Sequence, residues 1–145
     1  MVTLPTDRTV FVVDDDAAAL DSLVMLLRSD GLTPRGFLSA HDFLAQFDPE
    51  ARGCVITDLR MPDLDGIEVL MAAKRFDPSV QVVLLTAHAT VETAVTSMRY
   101  GAFDYITKPF ASADLVQVAR RAFGENGAQA PTNAGAMQSE RRPTE

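Results

Sequence analysis

The sequence predicts an α/β fold, a doubly wound parallel sheet of five strands with five helices, and two observations lead to that prediction. Short apolar runs alternate with segments in which apolar residues recur at helical spacing, from Thr9 to about Phe123. Four of the apolar runs end at charged or hydroxyl residues, as expected when strand ends gather at one edge of a sheet. Crossovers between parallel strands are right-handed, so helices should cover both faces of the sheet.

The first strand and helix are the clearest elements. Residues 9–13 form an apolar run that ends at three consecutive aspartates. Apolar residues then recur at helical spacing until Gly31 provides a stop. These residues are Leu20, Leu23, Val24 and Leu27. A short second strand over residues 33–37 follows, and Ser39 with Asp42 resembles a loose capping pair at the start of a second helix.

The middle of the chain contains the third and fourth strands. Residues 54–57 form an apolar run that ends at Asp58. Residues 59–66 are predicted to be a loop, because Pro62 disfavours helix before it and an Asp-Gly pair closes the segment. A third helix follows and ends at Asp77-Pro78, and the fourth strand covers residues 81–85.

The last two helices flank the fifth strand, residues 103–107, which ends at Lys108. Residues 90–100 form a weakly apolar helix rich in β-branched residues, which should be the least securely held. Gly101 ends it. The final helix reaches Phe123, with apolar residues again at helical spacing.

Composition narrows the classes of partner. The 145 residues are 47% hydrophobic, enough for one domain with a full core. The net charge of −7 and the pI near 4.7 argue against direct nucleic-acid or membrane binding, because such surfaces need clustered Lys and Arg. The sequence has no apolar stretch near the ~20 residues of a membrane span, no recognisable signal peptide and a single cysteine, so we expect a cytoplasmic protein.

The chain divides into three parts. Residues 1–8 are an N-terminal arm and residues 9–123 form the domain. Residues 124–145 are rich in small and polar residues and cannot bury enough apolar surface to offset the entropy of ordering. We therefore predict a disordered tail or linker there.

The strand ends bring acidic side chains together. Asp14 and Asp15 follow the first strand and Asp58 follows the third. Neighbouring strands lie only about 4.7–4.9 Å apart, and two charges about 4 Å apart repel by roughly 4 kcal/mol at an effective dielectric near 20. Either the acids take up protons or a divalent cation binds, and hard oxygen ligands suit Mg²⁺. We predict the metal.

A bound cation would allow one carboxylate to attack a phosphoryl group, because it offsets the repulsion between two anions. Asp58 is the predicted nucleophile, since it stands alone after its strand, whereas Asp14 and Asp15 form a pair suited to the cation. Lys108 can place an ammonium, and Thr86 a hydroxyl, against the phosphoryl oxygens. Phosphoryl transfer requires little more than such positioning and charge.

Four motifs occur in order along the chain: VVDDD at residues 12–16, TDLRMPDLDG at 57–66, TAH at 86–88 and GAFDYITKPF at 101–110. Together they resemble the receiver domain of bacterial two-component response regulators, especially the nitrogen-regulation and nitrogen-fixation branches. The resemblance extends over about residues 9–123, which would make that part a receiver domain. Any one motif alone would be a weak signal.

The resemblance implies a flavodoxin-like fold with strand order 2-1-3-4-5. It implies that Asp58 is phosphorylated by a sensor histidine kinase or a phosphotransfer protein. Mg²⁺ would be held by Asp15, Asp58 and the carbonyl of Arg60, with Asp14 acting mainly through water. The chain would catalyse only its own phosphorylation and dephosphorylation.

The resemblance also implies how the phosphoryl group is read. Thr86 and Lys108 would hold it, Tyr105 would be an aromatic switch, and the peptide bond before Pro109 would be cis. Movement of Thr86 would let Tyr105 turn inward and bias a two-state equilibrium on the face of the fourth helix, fifth strand and fifth helix. That face would also serve for homodimerisation or partner docking.

Two histidines lie outside this set. His88 borders the pocket and is a candidate for tuning the lifetime of the phosphoaspartate. His41, on the second helix, is predicted to be a surface residue.

Two other functions stay open at this point. A phosphatase of the haloacid-dehalogenase kind also uses a strand-end Asp-x-Asp. That motif requires Thr or Val at the position where this chain has Ala18, and such a phosphatase would give Asp58 no role. The more serious alternative is a receiver fold that serves only for docking or dimerisation, without control by phosphate. The output of the protein is not identified by these residues.

Overall fold

The computed structural model describes residues 9–47 and 53–124, and it confirms the predicted fold class. Within these residues, five parallel strands form a sheet in the order β2-β1-β3-β4-β5. The strands are β1 (Thr9–Val13), β2 (Thr33–Phe37), β3 (Cys54–Asp58), β4 (Gln81–Thr86) and β5 (Asp104–Thr107). The helices are α1 (Ala17–Ser29), α2 (Ala40–Gln46), α3 (Gly66–Phe76), α4 (Val91–Arg99) and α5 (Ser112–Ala122).

The predicted arm, residues 1–8, and all of the predicted tail beyond Gly124 lie outside the described residues. Among the residues that are described, no helix is long and apolar enough to span a membrane.

Alternate residues of the central strands supply two apolar cores, one on each face of the sheet. On one face, Phe11, Val55 and Leu84 pack with residues of α2 and α3. On the other face, Ile56 and Leu85 pack with residues of α1 and α5. Because helices cover both faces, these strands have apolar residues at several consecutive positions instead of at every second one.

Side chains cap α1 and α3, the helices that follow β1 and β3. The Asp16 carboxylate accepts hydrogen bonds from the N–H groups of Ala18 and Ala19 at the start of α1. At the start of α3, Asp65 and Glu68 each accept a hydrogen bond from the backbone N–H of the other, both at 2.9 Å. Helix α3 therefore begins at Gly66, and the prediction of loop at that residue was wrong because the capping box prevails over the turn.

Gly66 lets α3 pack directly against the end of β3. A Cβ atom at this position would lie 2.6 Å from the carbonyl oxygen of Asp58 and 2.7 Å from Cδ1 of Leu84. The N–H of Gly66 donates to the carbonyl oxygen of Leu59 at 2.7 Å. The backbone that directly follows the Asp58 side chain is thereby held against the helix.

Helix α4 has fewer buried residues than any of the other four helices, which agrees with its prediction as the least securely held. Ser97 is its one buried residue. Val91, Val95 and Met98 are 81%, 49% and 38% exposed. These residues line, together with Tyr105, a groove of about 720 Å³.

Candidate functional site

The predicted acidic cluster forms at the carboxyl edge, because β1 and β3 are neighbours in register. Val13 pairs with Thr57, so Asp14 and Asp58 follow at the same level of the sheet. Carboxylate oxygens of Asp14, Asp15 and Asp58 lie within 4.8 Å of one another. Asp14 is buried, Asp58 is half-buried and Asp15 is exposed. The cluster thus has a fixed inner side and a side open to solvent.

Asp14 is anchored to the backbone around it. Its N–H donates to the carbonyl oxygen of Phe37 at 3.1 Å, and its Oδ1 accepts from the N–H of Asp16 at 3.0 Å. The Asp16 carboxylate is used at the cap of α1, which fits the prediction that this residue favours the start of the helix. The two acids of the Asp-x-Asp pair therefore do not share one site.

Lys108 brings a positive charge to the cluster from the end of β5. Its Nζ lies 3.3 Å from Asp14 Oδ2 and 3.7 Å from Asp58 Oδ1. The N–H of Lys108 donates to the carbonyl oxygen of Thr86 at 2.8 Å, which continues the β4–β5 ladder past the strand end. One ammonium thus faces two carboxylates, so the cluster retains excess negative charge.

The two carboxylate oxygens of Asp58 differ in their hydrogen bonding within the described residues. Burial raises the pKa of its carboxyl, the Lys108 ammonium lowers it, and the charge of Asp14 raises it again, with a net shift upward. The N–H of Leu59 donates to Oδ1 at 3.0 Å. No hydrogen bond from the described part of the chain reaches Oδ2. That oxygen is therefore available to react.

Thr86 lies one residue beyond Leu85, the partner of Asp58 in the β3–β4 ladder. Its side chain is buried, and its Oγ1 accepts a hydrogen bond from the N–H of His88 at 2.9 Å. The hydroxyl proton of Thr86 remains available to another acceptor. His88 is exposed, and its role in the lifetime of a phosphoaspartate stays a prediction.

The remaining predicted residues lie around this edge of the sheet. The hydroxyl of Tyr105 on β5 is 2.5 Å from Oγ1 of Thr93 on α4. The peptide bond between Lys108 and Pro109 is cis, the isomer that the resemblance implied. Arg60 is exposed two residues after Asp58, and the role of its carbonyl as a metal ligand stays a prediction.

Sequence reasoning missed Asp104, a buried acid beside Tyr105. It is 4% exposed, and burial raises its pKa to about 6, although the N–H of Tyr105 and the charge of Arg121 act in the opposite direction. Asp104 Oδ1 accepts the Tyr105 N–H at 2.7 Å. An aspartate inside a predicted strand was the available signal, since Asp is depleted in strands.

A second missed contact joins α2 to the loop after β3. Asp63 Oδ2 lies 3.0 Å from Nδ1 of His41 and accepts its backbone N–H at 3.1 Å. Burial acts to raise the pKa of Asp63, but the hydrogen bonds from His41 and Leu64 outweigh it and hold the pKa low. The His41 side chain is 71% exposed, so its surface position is as predicted. No local pattern in the sequence indicates this pairing.

Comparison with known proteins gives the same assignment as the motifs. The family model for the response regulator receiver domain matches residues 10–120. The transcriptional regulatory protein FixJ of Azorhizobium caulinodans is 37% identical over 126 residues, which are 87% of this chain and 60% of that protein. The chain therefore spans about three fifths of the length of this relative.

Solved structures agree with the sequence relatives. The crystal structure of FixJ-N is 36% identical, with a TM-score of 0.75 over 86% of this chain and 99% of that one. The solution structure of the beryllofluoride-activated NtrC4 receiver domain dimer is 29% identical, with a TM-score of 0.71 over 81% of this chain and 98% of that one. With the fold, the motif order and the family model in agreement, the chain belongs to the response regulator receiver domain family of two-component signalling proteins.

Proposed function

We propose that this chain is a phosphoacceptor, in which Asp58 takes a phosphoryl group from a sensor histidine kinase or a phosphotransfer protein. The observation that carries the proposal is the meeting of three carboxylates and one ammonium, contributed by three separate segments, at the carboxyl edge of the sheet. One of these carboxylates, Asp14, is buried, and burying a charge is costly unless it is compensated. Such an arrangement favours a functional site over a set of solvated turn residues.

The charge balance of the cluster supports a role for Mg²⁺. Three carboxylates against one ammonium leave an excess of negative charge, which would repel a phosphoryl group. Oxygen donors of Asp14, Asp15 and Asp58, with the Arg60 carbonyl, match the ligands that Mg²⁺ prefers. When bound, the ion would supply the positive charge that lets two anions approach.

The free oxygen of Asp58 is the proposed nucleophile. A lone pair on Oδ2 attacks phosphorus, an O–P bond forms, and the bond from phosphorus to the donor breaks with its electron pair leaving on the donor. The Leu59 N–H orients the carboxylate through Oδ1. Lys108 and the Thr86 hydroxyl would contact the phosphoryl oxygens. In this proposal, the chain catalyses only its own phosphorylation and dephosphorylation.

The signal would pass from Thr86 to the α4 face. Thr86 pairs with Thr107 in the β4–β5 ladder, two residues from Tyr105. Movement of Thr86 toward the phosphoryl group would let Tyr105 turn inward and shift the population of a second arrangement of α4, β5 and α5. That face would then control an output segment, a partner or a second copy of the chain. The dimer formed by the activated NtrC4 receiver supports the last possibility.

Asp58→Asn tests the assignment, with Asp16→Asn as the matched control. After incubation with Mg²⁺ and acetyl phosphate, the intact mass of the wild type should increase by one phosphoryl group, and EDTA should prevent the increase. Asp58→Asn should show no increase. Asp16→Asn should behave as the wild type, because Asn is also a good N-cap residue. Labelled Asp58→Asn protein would contradict the proposal.

A receiver that only docks or dimerises is the second candidate, and the exposed Val91, Val95 and Met98 of α4 favour it. Beryllofluoride, which mimics a phosphoryl group, separates the two functions. A phosphoacceptor should change its ¹⁵N spectrum on addition of beryllofluoride with Mg²⁺. A docking module should show the same spectrum before and after.

A further inference from the structure

One hydrogen bond joins β5 to the first turn of α4. The hydroxyl oxygens of Tyr105 and Thr93 lie 2.5 Å apart, although the residues are 12 positions apart in the chain. Among the described residues, the phenol of Tyr105 makes no other hydrogen bond. Any rotation of the Tyr105 ring must therefore break this bond or carry Thr93 with it.

The same Thr93 hydroxyl closes the capping box of α4. The N–H of Thr93 donates to Oγ1 of Thr90 at 3.0 Å, and the N–H of Thr90 donates to Oγ1 of Thr93 at 3.3 Å. The Thr93 hydroxyl also lies 3.2 Å from the carbonyl oxygen of Thr90, and in its bond to Tyr105 either hydroxyl can be the donor. Displacement of Tyr105 therefore acts on the residue that fixes the start of the helix.

Few other contacts fix this end of α4 against the sheet. Ser97, the buried residue of the helix, donates to the carbonyl oxygen of Thr93 at 2.7 Å, which is a bond inside the helix. Val91 is 81% exposed and Val95 is 49% exposed. Segments with so little buried surface open and rearrange at low cost. The bond between Tyr105 and Thr93 is therefore one of the contacts that position the N-terminal turn.

We propose that Thr93 is a positioning residue, which holds Tyr105 in the orientation described here and thereby opposes the rearrangement that phosphorylation of Asp58 favours. The inference rests on the proposed function, because it concerns the balance between its two arrangements. A bond present in only one arrangement weakens the binding of any group that favours the other. Loss of the Thr93 hydroxyl should therefore tighten the binding of a phosphoryl analogue at Asp58.

The test is a titration of Thr93→Val with beryllofluoride in excess Mg²⁺, followed by ¹⁵N spectra. We expect roughly 2- to 10-fold tighter binding than in the wild type, the range that corresponds to one neutral hydrogen bond. Thr93→Ser retains the hydroxyl and should bind as the wild type does. Equal affinities of the wild type and Thr93→Val would overturn the inference.

Tyr105→Phe distinguishes the bond to β5 from the cap of α4. In a Tyr105→Phe background, Thr93→Val should change the affinity no further, whereas a role in capping alone would give the same change in both backgrounds. If Thr93→Val changed the beryllofluoride affinity equally in both backgrounds, the inference would be overturned. Binding of beryllofluoride to the wild type would still support the proposed function. A wild type that does not respond to beryllofluoride would overturn the proposed function, and this inference with it.

Discussion

The carboxyl edge of the sheet and the α4 face differ in how firmly their residues are held. At the edge, Asp14 and Thr86 are buried, and their side chains accept hydrogen bonds from the backbone. On α4, Ser97 is the one buried residue, and the apolar side chains Val91 and Val95 are exposed. Reacting groups need fixed positions, whereas a segment that reports a signal needs two arrangements of similar free energy. In the proposed function, the carboxyl edge would supply the first of these properties and α4 the second.

The largest difference should appear when apolar side chains are truncated in the two regions. Leu84→Ala, at a fully buried position of β4, should lower the free energy of unfolding by about 2–5 kcal/mol. Val91→Ala, on the exposed face of α4, should change it by no more than about 0.5 kcal/mol. Urea unfolding followed by circular dichroism measures both values. If the two substitutions changed the free energy of unfolding equally, the carboxyl edge and the α4 face would not differ in how firmly their residues are held.

Gly66→Ala tests how tightly the carboxyl edge is built. The added Cβ would meet the carbonyl oxygen of Asp58 and a Leu84 methyl group at under 3 Å, so the helix or the strand end must shift. We expect a loss of roughly 3 kcal/mol in the free energy of unfolding. Gly31→Ala is the matched control, because a Cβ there meets nothing within 4 Å and only the positive φ is unfavourable. If Gly66→Ala lowered the free energy of unfolding less than Gly31→Ala, the carboxyl edge would have to accommodate the added Cβ atom and would not be tightly packed.

A smaller, pH-dependent effect should come from Asp104. Its pKa is raised from the ordinary value of 3.8 to about 6, so the stability linked to its protonation is complete below about pH 4 and is lost as the pH rises through about 6. The loss is at most about 3 kcal/mol. Asp104→Asn should therefore be more stable than the wild type at pH 7.5 and similar to it at pH 4.

Urea unfolding at a series of pH values measures this effect. Asp114→Asn, at an exposed position of α5, is the control and should follow the wild type throughout. If the free energy of unfolding of the wild type increased between pH 4 and pH 7, instead of decreasing, the raised pKa of Asp104 would be contradicted.

Much of the fold and of the candidate site could be predicted, because each proposed reactive residue directly follows an apolar run. Asp14, Asp58, Thr86 and Lys108 are positioned by strands whose ends the sequence marks clearly. The strand order could not be predicted from the pattern of apolar residues, and its prediction came from the family resemblance. Local signals locate the edge of a sheet, but they do not say which strands are neighbours.

Contacts between side chains from separate elements were not predictable. Thr93 meets Tyr105, and His41 meets Asp63, only after two elements have packed, and no spacing in the sequence marks either pair. The start of α3 was misplaced for a different reason. An Asp-Gly turn signal and a capping box share Asp65, and the capping box determines the structure.

The central claim is that the carboxylates and Lys108 at the edge of the sheet form one site that binds a phosphoryl group on Asp58. A crystal structure of the chain with beryllofluoride and Mg²⁺ tests it most directly. We predict beryllium bonded to an Asp58 carboxylate oxygen, its fluorides in contact with Lys108 Nζ and Thr86 Oγ1, and the metal ion against Asp15 and Asp58. Beryllofluoride bound elsewhere, or an Asp58 side chain unchanged at saturating concentration, would contradict the claim.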